Sequence, residues 1–582
     1  ADARSAADRL AAALPERMQA AILVPHLDRM SDQLMQCLEG MDRADLLMGS
    51  RPIDQIKSTI QLSVAVDDLG GAGVVLVPAP NDGASENAIS QRVGIVPVGL
   101  VAVTSFKKFI SGNFTGNSMS DSDSERDTDP VHICEHPVLG RVFVRHLSNH
   151  AILSQSREAV EQYMPVGQEH EDDTAQRHLR ERLGMAGWKT LERGHVAFYA
   201  TQDAVKTWTN RSSDEIKAAG ESQLNDRALR DAFRRFRALQ FAPIVKDVLH
   251  AGRGGVVTLQ FDPLALIMRK HWNLDPKAAL TQEISSDSEH TASVSPLPAQ
   301  SYLVAASCSR NMLALTTHVF NNLDAQFFST AREHLADARA VHVLLLRNPA
   351  GPVSGMFNNA GLIIETPQPE TMRDAIRRDL LALKELDDGV ERRVIWRASR
   401  SVQGAGTSDS YEYDVLSTDS KSSAESVIRN YVLGPSGTGG YVKTVDNAVL
   451  ITTTMRAGSL RELLGAWNDN AKTLGDDPVV NTMRNWLPAN RDFEVYIAPD
   501  ELLTMIHESP AGYVLPEHVK SRVGSNLTPI GAAAQLTRES VRSTAIVPSD
   551  TLALLMDVVR RSVGPSIAPR DADRTTPGVD NN

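Results

Sequence analysis

Segments that recur in the same order, 283 to 298 residues apart, constrain this chain more than any other feature of its sequence. LPERMQAAILVPHLDRM (14–30) pairs with LPAQSYLVAASCSRNML (297–313) at an offset of 283. NHAILSQSREAVEQY (149–163) pairs with NAVLITTTMRAGSLRELL (447–464), starting at 298. VAFYATQDAVKTW (196–208) pairs with FEVYIAPDELLTM (493–505), which sets Tyr199 on Tyr496 and Asp203 on Asp500. LALIM (264–268) pairs with LALLM (552–556), which sets Leu264 on Leu552 as equivalent buried positions. Insertions in loops cost little free energy, so wandering offsets are what a duplicated chain acquires. The expectation is a tandem duplication, 14 to about 285 and 297 to about 565.

A smaller unit recurs inside each half. AAILVPHLDRMSDQLMQCL, AILSQSREAVEQYM, VAFYATQDAVKTW and VVTLQFDPLALIM each read as a strand, a polar turn and an amphipathic helix. In the last of these, Asp262 is expected to cap a helix begun by Pro263, and Asp203, Asp500 and Asp550 to cap likewise. GGAGVVLVPAP (70–80), LGRVFVRHLS (139–148), AVHVLLLRNPA (340–350) and GLIIETPQ (361–368) read as strands without helices. Hairpin-length and helical connections together favour an α+β fold, with each half a largely antiparallel sheet layer covered by helices. Two subdomains per half follow: 14–165 and 180–285, then 297–470 and 475–565.

Linkers separate these blocks. SSDSEHTASVSP (285–296) joins the halves, NSMSDSDSERDTDP (117–130) and VGQEHEDDTAQRH (166–178) interrupt the first, and QGAGTSDS (403–410) is a loop in the second. The tail from 568 to 582 has no apolar pattern and is expected to be disordered.

The net charge of -12 argues against nucleic acid or anionic membrane as the main partner, since both demand clustered basic surface. No apolar run approaches the ~18–20 residues that span a bilayer. Cys37, Cys134 and Cys308 are too few and too scattered for a disulfide framework. The chain opens ADARSAAD, and a small first residue fits cleavage of a signal peptide or trimming of the chain.

The opening LPERMQAAILVPHLDRMSDQL, the LSQSREAVEQYM after a strand and the tandem layout resemble a class of exported bacterial repeat proteins of unknown function. In that class an LP-led segment begins each repeat. The resemblance implies export to the periplasm or cell envelope, and no catalytic residue comes with it.

The densest chemical cluster is HICEHPVLGRVFVRHLSNH, with His132, Cys134, His136, His146 and His150. In an extended chain His132, Cys134 and His136 share one face, and a following strand is expected to bring His146 or His150 opposite them. Imidazole and thiolate at that spacing suit Zn²⁺ or copper, against a bland reading as a histidine-rich face. GPSGTGGYVKT (434–444) lacks the Lys-Ser/Thr of a phosphate loop, because Gly440 and Tyr441 stand there, and it reads as a hairpin. DSDSERDTD has Arg126 where a calcium loop needs Gly, so it reads as a solvated acidic loop. RALRDAFRRFRALQFAPIVKDVL (227–249) reads as an amphipathic helix with a basic face. There is no GxSxG, HExxH or GxGxxG motif in a fitting context.

These observations favour a non-catalytic exported protein acting as scaffold or binding module, with a protein or envelope component as partner and no cofactor assigned. The alternatives are a metal-dependent hydrolase using the 132–150 cluster and a small-ligand binding protein. The sequence leaves the oligomeric state open.

Overall fold

The computed structural model describes residues 6–15, 17–47, 49–79, 95–119, 130–164, 174–206, 251–285, 292–322, 329–348, 351, 355, 358–385, 390–418, 438–509, 512 and 517–562. The basic segment 227–249, most of the acidic segment 117–130 and the tail 568–582 lie outside the described residues.

Among the described residues, twenty strands form one mixed α and β architecture around a large antiparallel sheet. The first seven are β1 (Ala20–Val24), β2 (Ala72–Pro78), β3 (Ile95–Ala102), β4 (Thr115–Met119), β5 (His132–His136), β6 (Gly140–Leu147) and β7 (His150–Ser154). Then come β8 (Val196–Thr201), β9 (Gly252–Asp262) and β10 (Ala265–Leu274). The next seven are β11 (Val304–Ser309), β12 (Ala340–Leu345), β13 (Ala360–Glu365), β14 (Val390–Val402), β15 (Gly406–Thr418), β16 (Thr438–Val445) and β17 (Ala448–Thr452). Last are β18 (Phe493–Ile497), β19 (Ile530–Leu536) and β20 (Ser540–Pro548).

Read outward from one edge, the neighbours run β4, β5, β6, β7, β3, β2, β1, β8, β9, β10. From the opposite edge they run β14, β15, β16, β17, β13, β12, β11, β18, β19, β20. The two series therefore have the same order, each number raised by ten. They meet where β10 pairs with β20, from Ala265↔Pro548 to Asn273↔Ser540.

Three of the four recurring segment pairs fall on matching strands. Tyr199 of β8 pairs with Ala21 and Val256, and Tyr496 of β18 pairs with Ala305 and Gly531. Both tyrosines are buried, at 4% and 0% exposure. The 149/447 pair lands on β7 and β17, each followed by a helix, Arg157–Glu161 and Ala457–Trp467. The 14/297 pair lands on β1 and β11, but pairing with Tyr199 and with Tyr496 makes Ala305 the counterpart of Ala21, an offset of 284 instead of 283. One residue matters here, because a slip by one turns every side chain to the other face.

The LALIM/LALLM pair does not match. Residues 265–268 open strand β10, whereas 552–556 lie inside helix Ser549–Ser562. Leu264 is 66% exposed in the β9–β10 turn, and Leu552 packs with Ala553 and Phe261 in an apolar cluster. A five-residue apolar run fits either period, so tertiary context decided what the letters did not. The expected cap at Asp262 fails with it: Asp262 pairs with Ala265, and its Oδ1 accepts from Leu264 N at 3.0 Å inside the hairpin turn. Gly40 ends helix Leu27–Gly40 against this turn, and a Cβ there would meet the Pro263 carbonyl at 2.1 Å.

The other aspartates stand near helix starts with different partners. Thr201 Oγ1 accepts from Ala204 N at 3.4 Å, so Thr201 and not Asp203 caps that helix. Asp500 lies inside helix Pro499–Glu508 and accepts from Glu501 N at 2.9 Å. Asp550 reaches Thr528 N and Oγ1, at 2.7 and 2.9 Å, tying its helix to the segment before β19. A complete cap occurs at Asp477, which accepts from Val479 N and Val480 N ahead of Pro478. The expected loop 403–410 is only a tight turn, since β15 already begins at Gly406.

One sheet face carries two large apolar clusters. Leu23, Val75, Val98, Leu100, Ile152 and Tyr199 pack under helix Thr174–Arg193 through Leu183, Trp188 and Leu191. Ala305, Leu344, Ile363, Leu450 and Tyr496 form the second, which also takes in Ala265 and Ile267 from β10. Burial of such side chains supplies roughly 1.5–3 kcal/mol each relative to exposure, before chain entropy is subtracted.

Candidate functional site

The His/Cys segment folds as the expected strands: 132–136 is β5, 140–147 is β6 and 150–154 is β7. Strand alternation sets His132, Cys134 and His136 on one face. The register His132↔Val144 and His146↔Ala151 brings His146 onto that face, while His150, next to Ala151, turns to the other.

The face is a packed one. Helix Phe106–Asn113 covers it, and Cys134 lies in a cluster with Phe109, Ile110, Phe114, Val142 and Val144. Burial pushes the Cys134 thiol up to about 11, so without a metal it stays protonated at neutral pH. His136 uses both ring nitrogens: Nδ1 accepts from Val138 N and Leu139 N at 3.2 and 3.1 Å, and Nε2 lies 3.3 Å from the Gln61 carbonyl. That pattern fixes the neutral tautomer with hydrogen on Nε2. His132 and His146 flank the ring of Phe106, at 5.5 and 4.8 Å between centroids. His150 is buried without a partner for Nε2, and burial with the Arg9 charge lowers its pKa to about 4. Among the described residues, no three His, Cys, Asp or Glu side chains converge as a metal site would require.

Beside this cluster lies an open cleft of about 500 Å³ between helix Pro52–Ile60, helix Phe106–Asn113 and the β5–β6 turn. Lys57, Ser58, Gln61, Ser63, Ser111 and Thr115 give it polar walls. Its lysine is already paired with Asp68, and Asn113 is spent on Ser63 N, Val64 N, Val64 O and Phe109 O. The cleft is hydroxyl-lined and has no nucleophile–base pair among the groups described there.

Of the expected hairpin loop 434–444, residues 434–437 lie outside the described residues and the rest is strand. Thr438–Val445 is strand β16, and Gly440 is required because a Cβ would stand 1.7 Å from Thr452 O.

The most deeply buried charge was not singled out in the sequence. The Glu494 side chain is fully enclosed on β18. It accepts from Arg484 Nε at 2.8 Å, Tyr496 OH at 2.9 Å and Val294 N at 2.9 Å. Arg484 also donates to Ser293 and Ser295 Oγ, both at 3.0 Å. Arg484 Nη2 donates to the carboxylate as well at 3.2 Å, so all four lone pairs have a donor and the network clamps 292–297 to the second half.

No family model matches this chain, and no curated protein matches it. Among solved structures, crystal form IV of TP0453 is similar over 47% of this chain and 99% of that one, at 10% identity and a TM-score of 0.23. Crystal form I of TP0453 is similar over 46% and 97%, at 9% identity and a TM-score of 0.22. Likenesses this slight carry no assignment. Among the described residues, no helix is long and apolar enough to cross a membrane.

Proposed function

We propose that this chain is an exported binding or scaffold protein of the cell envelope, not an enzyme, and that its halves, 14–285 and 297–565, arose by tandem duplication. The observation that carries the reading is the strand order, β4-β5-β6-β7-β3-β2-β1-β8-β9-β10, repeated by the second ten strands. Ten strands admit many orders, and independent origins have no reason to select the same one twice. What corresponds between the series is packing residues, such as Tyr199 with Tyr496 and Ala21 with Ala305, which fits a protein kept for shape and surface. The envelope placement rests on the resemblance of the LP-led opening to exported repeat proteins. The buried, hydrogen-bonded state of His136 and the enclosed Cys134 thiol support a structural part for the one cluster with metal-ligand letters.

Fractionation of cells making the natural full-length protein tests the placement. Recovery with periplasmic or envelope markers agrees with the reading; recovery wholly with cytosolic markers overturns it.

A further inference from the structure

The joint between β10 and β20 places an arginine in unusual company. Arg269 stands between Thr258 of β9 and Thr544 of β20, on the same sheet face as the buried Ile267 and His271. Its Nη1 donates to the Gln260 side-chain carbonyl, an uncharged partner. The charge of Arg193, another cation, acts on it from the end of helix Thr174–Arg193, which packs over β9 and β10. The helix comes this close because Gly194 lies on Thr258; a Cβ there would be 2.6 Å from the Thr258 Cβ. Two residues along β20, Arg542 pairs with His271 and is exposed on the same face. Diagonal neighbours across an antiparallel pair are roughly 7–8 Å apart, so Arg269 and Arg542 can both reach one small group.

Half-buried charges are ordinarily neutralised by a partner. Here burial and Arg193 both hold the Arg269 guanidinium below its usual value, and no carboxylate among the described residues pairs with Arg193, Arg269 or Arg542. Thr258 and Thr544 are buried on either side, and Thr258 Oγ1 donates to the Arg269 carbonyl at 3.4 Å, which holds the strand that carries the arginine. Planar guanidinium forks match the oxygens of a carboxylate or phosphate.

We propose that Arg269, with Arg193 and Arg542, binds an oxyanion carried by a small molecule at the joint between the two strand series. The site deepens the binding-protein reading above and rests on it. Arg542 and Arg193 are exposed beside half-buried Arg269, and among the described residues no carboxylate neutralises the three.

The test uses the full chain and compares thermal unfolding in inorganic phosphate and in citrate with chloride at matched ionic strength. Phosphate or citrate should raise the Tm, with the larger rise identifying the preferred oxyanion, and calorimetry should give about one site. Arg269→Gln should abolish the rise while its own Tm without oxyanion stays level or increases, since repulsion from Arg193 is relieved. Arg542→Gln should weaken the rise. No stabilisation beyond chloride, an equal rise in Arg269→Gln, or a lowered Tm of that variant without oxyanion would each overturn the proposal. Failure here leaves the fractionation result untouched, so the two readings fail separately.

Discussion

Arg269 and Thr544 face each other across the β10–β20 ladder and also occupy the same step in the two strand series. Counting from Tyr199 through Val256 reaches His271, and counting from Tyr496 through Gly531 reaches Ile546. Residue 546 is 271 plus 275, and 544 is 269 plus 275. The pair is thus its own counterpart, as a two-fold relation normal to the sheet requires at its centre. Buried Tyr199 and Tyr496 consequently lie on the same sheet face.

Removing the charge at Glu494 should be costly. Glu494→Ala would leave Arg484 buried without its carboxylate and Tyr496 OH without its acceptor. Loss of one partner of a buried pair costs on the order of 3–5 kcal/mol. Denaturant unfolding measures it; a cost within the ~0.5 kcal/mol typical of surface changes would show that the network contributes nothing net.

Stability should fall between about pH 6.5 and pH 4. Burial lowers His150 and His195 to about 4, so the unfolded chain binds protons in that window and the folded chain does not. Their stabilising effect is complete above the unfolded value and is lost as pH drops toward the folded one. His150, the more enclosed, contributes on the order of 3 kcal/mol. Replacing both histidines with Asn should flatten this part of the pH profile of stability; an unchanged slope would assign it to other groups.

Zinc should bind no more tightly to the native chain than to His132→Ala/His136→Ala. The double variant should instead lose roughly 1–3 kcal/mol, because Val138 N, Leu139 N and the Gln61 carbonyl lose their imidazole partner. Stoichiometric zinc that disappears in the variant would restore the metal-enzyme alternative.

The thiols should be slow. Burial raises Cys134 and Cys308 to about 11 and lifts Cys37 as well. A maleimide at neutral pH should label buried Cys37 and Cys134 only on unfolding; rapid labelling of either in the native chain would contradict their packing.

Much of this fold was legible in short alternating runs. AVHVLLL and GLIIE became β12 and β13, and VRHL closed β6, because period-two patterns bounded by Gly, Pro or polar residues leave few alternatives. LALIM was not legible, since its fate depended on pairing with 259–262 and 545–548. The long hairpin of β14 and β15 was hidden by the charges of VERRVIWRASRSV, which pair across strands as Arg393–Asp414 and Arg397–Glu412. The His/Cys letters gave the correct shared face but not its cover, helix Phe106–Asn113, which lies on it from earlier in the chain. Arg269 went unremarked in MRKHW, because an arginine without a carboxylate is visible only once the strands are side by side.

The central claim is that two like strand series meet edge to edge at β10 and β20. Disulfide trapping between partners Met268 and Ala545 tests it most directly. In Met268→Cys/Ala545→Cys, mild oxidation should link the positions, and fragments cut by a protease site introduced at 286–291 should stay joined until reduced. Met268→Cys/Thr544→Cys, one residue out of register and on opposite faces, should not link. Trapping of the second pair in preference to the first, or of neither, would contradict the joint and with it the account of the two halves.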